Sequence, residues 1–349
     1  MEGIYLDTLI YTTLNQFPLL GLLFVIAISL FILSKGADIL VDEAVSLSIR
    51  SGIPKMIIGA TIVSLGTTLP EATVSVVAAM NGNPDLALGN AIGSIITDTG
   101  LILGLAAIIG TLTIDKQIVK RQGVIQIAAV LLLTLVSLPI WPFYGVVHQW
   151  VGWVLLALLA VYLYVSMKWS KASASVTEQN QTDEVLNELF DEAVEDSKNP
   201  IVLQLVKIIF GIALVIGASK ILIPSVEISA VRVGIPQSII AATLVAFGTS
   251  LPELITAITA VRKGHGELAI GNIVGADILN VLFVVGGAAA VTSQGLSVPE
   301  NFYLVNYPAM ILIVLVFRIF SKNKKGIITK AQGIILTAFY GVYLLLSYL

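Results

Sequence analysis

Residues 51–71 read SGIPKMIIGATIVSLGTTLPE, and residues 233–253 read VGIPQSIIAATLVAFGTSLPE, 182 positions later. A second pair follows at the same offset: PDLALGNAIGS at 84–94 and GELAIGNIVGA at 266–276. Matched phrases in the same order and at one spacing mark an internal duplication. Each long phrase is apolar up to Gly-Thr-Thr/Ser-Leu-Pro and then ends in a carboxylate, Glu71 or Glu253. Proline removes a helical hydrogen bond and clashes with the preceding turn, so both helices are predicted to kink or break there.

The surroundings of those phrases are a membrane. Of 349 residues, 57% are hydrophobic and only 12% charged, against about 25% charged in soluble domains. Mean hydropathy is +0.96. The apolar runs are continuous rather than alternating, which excludes a transmembrane barrel. With no cysteine there is neither a disulfide nor a thiolate metal site. Nothing in this composition suits nucleic acid.

A span needs about 20 apolar residues, and ten are predicted: 17–46, 53–80, 84–111, 122–140, 148–168, 201–226, 235–261, 266–292, 303–320 and 330–348. The chain thus divides into a first five-helix repeat (1–168), a hydrophilic acidic linker (169–200) and a second five-helix repeat (201–349). Lys and Arg cluster after spans 1, 3, 5, 7 and 9 and are nearly absent from the alternate loops, apart from Arg232. The positive-inside rule then puts both termini outside and the linker in the cytoplasm. Five spans is an odd number, so the second half enters the membrane upside down relative to the first. The expected fold is all-α and integral to the membrane: ten helices as two inverted-topology repeats, with broken helices at a midplane ion site. Short loops point to a plasma (inner) membrane. The linker, rich in Glu and Asp with Leu186, Leu189, Phe190 and Val194 at helical spacing, reads as a solvated segment with a short amphipathic helix.

An ionisable group deep in a membrane is costly and marks an ion or substrate path. Around Glu71 and Glu253 stand the hydroxyls of Thr67, Thr68, Thr249 and Ser250. The kinks are expected to free carbonyls at Ser64 and Ala246. Ser94 and Asp98, four apart, share a helix face, as do Asp277 and Asn280, three apart. This inventory of carboxylates, amides, hydroxyls and carbonyls, without sulfur or imidazole, selects hard cations, and several carboxylates in flexible geometry suit calcium. Gly89, Gly93, Gly271 and Gly275 form small-xxx-small spacings that read as close helix packing. Asp38, Asp42 and Glu43 read as interfacial. His148, at the outer edge of the span 148–168, reads as part of an external loop and His265 as part of a cytoplasmic one, so neither is a proton relay within the membrane, and an enzyme is excluded by the lack of a Ser/His pair, paired-Asp site or metal motif.

GTTLPE with GNAIGS, and GTSLPE with GNIVGA, resemble the two repeats of the calcium/cation antiporter superfamily, and within it the prokaryotic sodium/calcium exchangers. The proton-coupled branch instead carries a GNxxE-type repeat, which is absent here. The resemblance covers nearly the whole chain. It implies an antiporter that works as a single chain in the lipid bilayer, with no tightly bound cofactor and with calcium and sodium as transported ions. It implies that Glu71 and Glu253 are central ligands, that Thr67, Thr68, Thr249 and Ser250 supply oxygens, that the carbonyls of Ser64 and Ala246 and the hydroxyl of Ser94 serve sodium, and that Asp98 and Asn280 form the central polar pair. The chain departs from the archaeal exchanger pattern in three places. Acid and amide are exchanged between Asp98 and Asn280. Ala276 replaces a serine, putting one sodium ligand in doubt. Ile95 and Asp277 stand where asparagine is usual, and Asp277 adds a charge near the site, which keeps potassium-dependent exchange open. Proton/calcium exchange at the same carboxylates is the other alternative; a cation channel is disfavoured by the duplicated, broken-helix design.

Overall fold

The computed structural model describes residues 9–140, 144–177, 201–234, 248–323 and 325–347, with only the backbone given for 170–177. Among these residues the fold is helical apart from two tiny ribbons. We number the helices α1 (Leu19–Ser51), α2 (Lys55–Thr67), α3 (Leu69–Met80), α4 (Pro84–Ile109), α5 (Lys116–Ser137), α6 (Gln149–Thr177), α7 (Ile201–Arg232), α8 (Leu251–Arg262), α9 (Gly266–Ala290), α10 (Phe302–Phe320) and α11 (Lys330–Ser347).

Eight of these helices are long and apolar enough to cross a membrane, and α2 with α3 makes nine. Ten spans were expected. The remaining one, 235–261, begins on residues 235–247, which lie outside the described residues; α8 is its second half. The predicted kink is present: α2 and α3 meet at 45° around Thr68, with Pro70 in the first turn of α3. Proline is tolerated at that position because the first turn has no donor to lose. Helix α6 runs on to Thr177, into the segment expected as linker; helix geometry has no need to stop where the bilayer does. The rest of the linker, 178–200, lies outside the described residues.

Helices α4 and α9 sit at the centre. Inside the protein lies 72% of the apolar window of α4 and 94% of that of α9, against 22% for α1 and 17% for α11. An all-round apolar helix is a buried one, and α9 is buried from Leu268 to Leu279 without interruption. The backbone of α9 lies against α2: a Cβ at Gly271 would stand 2.2 Å from the Met56 carbonyl, and one at Gly275 would stand 2.5 Å from the Ala60 Cα. The packing expected of those glycines is therefore seen in the second repeat. By the 182-residue offset the partners of Gly89 and Gly93 are Ser238 and Ala242, outside the described residues.

Helices α4 and α9 each contain a wide π-helical turn, Thr97–Ile102 and Asn280–Val285. Such turns gather at functional sites. Here they carry Asp98 and Asn280, which are 182 positions apart.

Helices α1 and α7, 33 and 32 residues long, are about 50 Å each and must tilt in a core about 30 Å thick. They pack on each other where Gly211 approaches the Gly36 carbonyl and the Leu40 backbone. Their polar ends are tied down. Glu43 meets Lys207 at 2.6 Å, and Lys263 meets Asp42 at 2.7 Å and Asp38 at 3.3 Å. Asp38, Asp42 and Glu43 are thus each held in an ion pair with a lysine. Arg232 donates to the carbonyls of Asn15, at 2.6 Å, and Phe17.

The two ribbons join the halves. Strand β1 (Leu112–Thr113) pairs antiparallel with β4 (Ile327–Ile328), and β2 (Val146–Val147) with β3 (Leu296–Ser297). Each ribbon takes one strand from each repeat.

Candidate cation site

The site is built from the first turns of two half-helices. Glu71 opens α3 and Glu253 opens α8, both 1% exposed. The chain arrives at each through a Gly-Thr-Thr/Ser turn, so two hydroxyls precede each carboxylate. A carboxylate in the first turn also lies at the positive end of its helix dipole.

The hydroxyls reach across to the other half, and they do so reciprocally. Thr68 Oγ1 lies 3.4 Å from Glu253 Oε1, and Ser250 Oγ lies 3.4 Å from Glu71 Oε1. Thr67 Oγ1 lies 3.4 Å from Asn272 Oδ1, and Thr249 Oγ1 lies 3.1 Å from Asn90 Oδ1. Positions 68 and 250, 71 and 253, 67 and 249, and 90 and 272 are all 182 apart. A set in which i contacts j and the equivalent of j contacts the equivalent of i is the signature of a two-fold relation. Asn90 also donates to the Glu71 carbonyl at 3.1 Å and to Ser75 Oγ at 3.0 Å, which fixes the start of α3.

Around this cross lie the remaining predicted residues. Ser94 Oγ is 3.2 Å from Ser250 Oγ. Its equivalent, Ala276, has no hydroxyl, so the two-fold is broken there. Asp98 and Asn280 are each 1% exposed, and Asp98 lies within electrostatic reach of Glu71, Glu253 and Asp277. Asp277 is turned to a different neighbourhood, with Thr99 Oγ1 and Gln126 Nε2 each 2.5 Å from its Oδ2. The Ser64 carbonyl is not released by the kink: it accepts the Thr68 N–H at 2.9 Å. Pro70 has no N–H to give to the carbonyl four residues earlier, so the position deprived of its helical donor is Gly66. The same carbonyl also accepts a long hydrogen bond from Thr67 Oγ1, at 3.4 Å. Ala246 lies outside the described residues.

Asn90 and Asn272 were not among the predicted ligands, although both stand in the repeated Gly-Asn phrase at the common offset. Gln126 and Thr99 have no repeated counterpart and were missed for that reason.

Six acceptor atoms in this region are buried with no hydrogen-bond partner: Glu71 Oε2, Glu253 Oε2, both Asp98 carboxylate oxygens, Asp277 Oδ1 and Asn280 Oδ1. Among the described residues no Lys, Arg or His is buried beside them. A buried charge without a partner costs several kcal/mol. The donor set, oxygen throughout, fits a hard cation. Among the described residues no three of the His, Asp or Glu side chains close on one point, so a cation here takes carboxylates together with hydroxyl, amide and carbonyl oxygens.

Comparison with known proteins agrees with this chemistry. A profile of the family described as sodium/calcium exchanger protein matches residues 21–168 and 203–349. The chain is 32% identical to the inner membrane protein YrbG of Escherichia coli, over 92% of this chain and 95% of that one. It is 26% identical to the sodium/calcium exchanger MaX1 of Methanosarcina acetivorans, over 93% and 97%. Among solved structures, the sodium-calcium exchanger NCX_Mj soaked with 100 mM Na+ and 10 mM Sr2+ superposes with a TM-score of 0.74 at 28% identity, over 93% of this chain and 98% of that one. A family match across both halves, together with two carboxylate-bearing half-helices that cross-bond at one offset, places this chain in the sodium/calcium exchanger protein family.

Proposed function

We propose that the chain is a secondary antiporter that exchanges sodium for calcium by alternating access, with Glu71 and Glu253 as the ligands the two ions share. The observation that carries this reading is the pair of facing carboxylates, each bonded through one oxygen to the other repeat and each left with a free, buried Oε2. One calcium or several sodium ions can neutralise the pair. An empty site leaves like charges buried together, and that penalty would hold the empty carrier back from switching, which enforces exchange.

Thr67, Thr68, Thr249, Ser250, Ser94, Asp98 and Asn280 complete the coordination in this reading, with the Ser64 and Ala246 carbonyls at the flanking sodium positions. The ten-span inverted architecture, with both termini outside and the linker cytoplasmic, is supported by the ribbons. In that topology β1 and β4 both follow an inward-going span, and β2 and β3 both follow an outward-going one, so each ribbon closes on one face.

The test is calcium uptake into sodium-loaded proteoliposomes at fixed pH with a protonophore present. Uptake should need the outward sodium gradient, survive the protonophore, and be lost in Glu71→Gln and in Glu253→Gln. Uptake driven by an imposed pH gradient and indifferent to sodium would replace sodium by protons as the coupling ion. A strict need for potassium alongside sodium would identify the potassium-dependent form.

A further inference from the structure

Among the described residues four carboxylates are buried in the core, and the reading above uses three. Glu71, Glu253 and Asp98 belong to the central site. Asp277, wholly buried on α9, faces away from the crossed hydroxyls and toward α4 and α5. Its two oxygens are treated unequally. Oδ2 receives both available donors, Thr99 Oγ1 and Gln126 Nε2, while Oδ1 receives none. A carboxylate held for structure alone is expected to have donors on both oxygens. Gln126, also wholly buried, repeats the pattern: its amide N–H is used and its Oε1 has no partner. The Nε2 contact keeps that Oε1 within about 5 Å of Asp277 Oδ2 by covalent geometry. Both Asp98 oxygens, within electrostatic reach, have no donor at full hydrogen-bonding distance, the Ser250 hydroxyl being the one that bears on them. Thus Asp277 Oδ1 and the Gln126 Oε1 held beside the same carboxylate are both buried acceptors without a donor, and Asp98 adds a second acid at longer range.

The charge count leads the same way. Four buried carboxylates would carry four negative charges if all were ionised, and among the described residues no basic side chain is buried with them. One calcium at the central site leaves two. We propose that Asp277 Oδ1, Gln126 Oε1 and Asp98 form a second cation subsite that takes one alkali-metal ion while calcium occupies the Glu71–Glu253 site. The class follows from the donors. All are oxygens, which suits a hard ion. Only one fully committed carboxylate faces the subsite, and its other oxygen is already spent on two hydrogen bonds, whereas a divalent ion gathers more carboxylate and more ligands. The proposal rests on the core being a cation site.

The experiment is thermal unfolding of the purified full-length protein without calcium, titrated with lithium, sodium or potassium chloride against choline chloride at constant ionic strength. An ion that binds only the folded state raises the midpoint with its concentration. At least one alkali ion should raise it in the wild type and in the Glu71→Gln/Glu253→Gln double variant. In that double-variant background the rise should vanish when Asp277→Asn is added. In Gln126→Leu the half-effective concentration should increase about tenfold, the usual effect of losing a supporting ligand; this variant carries the test alone if Asp277→Asn does not fold. A rise that Glu71→Gln/Glu253→Gln abolishes and Asp277→Asn leaves intact would overturn the proposal, as would no rise with any alkali ion, or a midpoint that depends on pH at Asp277 but on no metal ion. Calcium self-exchange in proteoliposomes separates the two readings. If the wild type shows none, calcium exchange fails, and the unfolding data still decide the subsite.

Discussion

Gly275→Ala is the smallest change that tests how the site is held. The added Cβ would stand 2.5 Å from both the Ala60 Cα and the Ala60 carbonyl oxygen, and 2.6 Å from Ser64 Oγ. Two of these are backbone atoms, which no rotamer change can move. Restoring the ordinary 3.4 Å requires α2 and α9 to part by about 0.9 Å at the crossing. Forcing one extra methyl into a packed core costs about 1–3 kcal/mol, and a contact made by backbone on both sides belongs at the upper end. The displacement also reaches the site, because Ser64, Thr67 and Thr68 ride on the same short helical segment. The expected result is a clear drop in unfolding temperature in detergent, with weakened calcium-dependent stabilisation and reduced transport. Gly217→Ala on α7 is the control: among the described residues no atom lies within 4 Å of its added Cβ, and alanine is the better helix former by about 0.5–1 kcal/mol. If Gly275→Ala were as stable and active as the parent, or if both variants lost stability alike, the close approach of α2 and α9 would not be what holds the site.

Three further outcomes follow from the geometry. Thr68→Val and Ser250→Ala remove equivalent hydroxyls at equal distances, so each should weaken calcium-dependent stabilisation by a similar factor of about ten; a large effect in one and none in the other would deny the two-fold relation. Lys263→Met removes the ties to Asp42 and Asp38; these are partly solvated, so the loss should be below about 1 kcal/mol and should shrink as choline chloride is added. His265 is held below the usual histidine range, first by burial and then by the charge of Lys55, whose Nζ is 3.3 Å from its Nδ1. A depressed histidine contributes stability above its unfolded-state value of about 6.5 and loses it as pH falls through the folded value. His265→Gln should therefore flatten the acid side of the stability profile below about pH 6.5, and an unchanged profile would remove His265 as the cause.

What could be read in the sequence was what the duplication repeats. The offset of 182 located both carboxylates and the hydroxyls before them, and Pro70 located the bend, because proline acts on its own backbone whatever surrounds it. Asn90 and Asn272 were repeated too. Their role depends on whether the amide faces a hydroxyl of the other half, and that is a tertiary fact. Hydropathy marks α5 as a span without telling whether Gln126 looks inward. The Ser64 carbonyl was misjudged because a kink at residue i starves the carbonyl at i−4, here Gly66, and not the one two residues before it. The ribbons are too short to leave a periodic signal.

The π-helical turns in α4 and α9 have one more consequence. A wide turn inserts a residue into the helical count, which rotates everything beyond it by about 100°. In an uninterrupted helix Gly104 would point about 80° from Ser94, still toward the ion path. With the inserted residue it points to the opposite side, where α11 lies so close that an added Cβ would be 2.4 Å from Thr337 Oγ1. The same step on α9 turns Gly286 toward Leu155 of α6. Each turn thus works as a phase shifter between two tasks on one rod: the half before it presents ligands, and the half after it seats an outer helix of the opposite repeat. Deleting one residue from either turn would shorten the rod by only about 1.5 Å, yet it would swing α11 or α6 more than a quarter-turn off its seat while leaving Ser94 and Ala276 where they are.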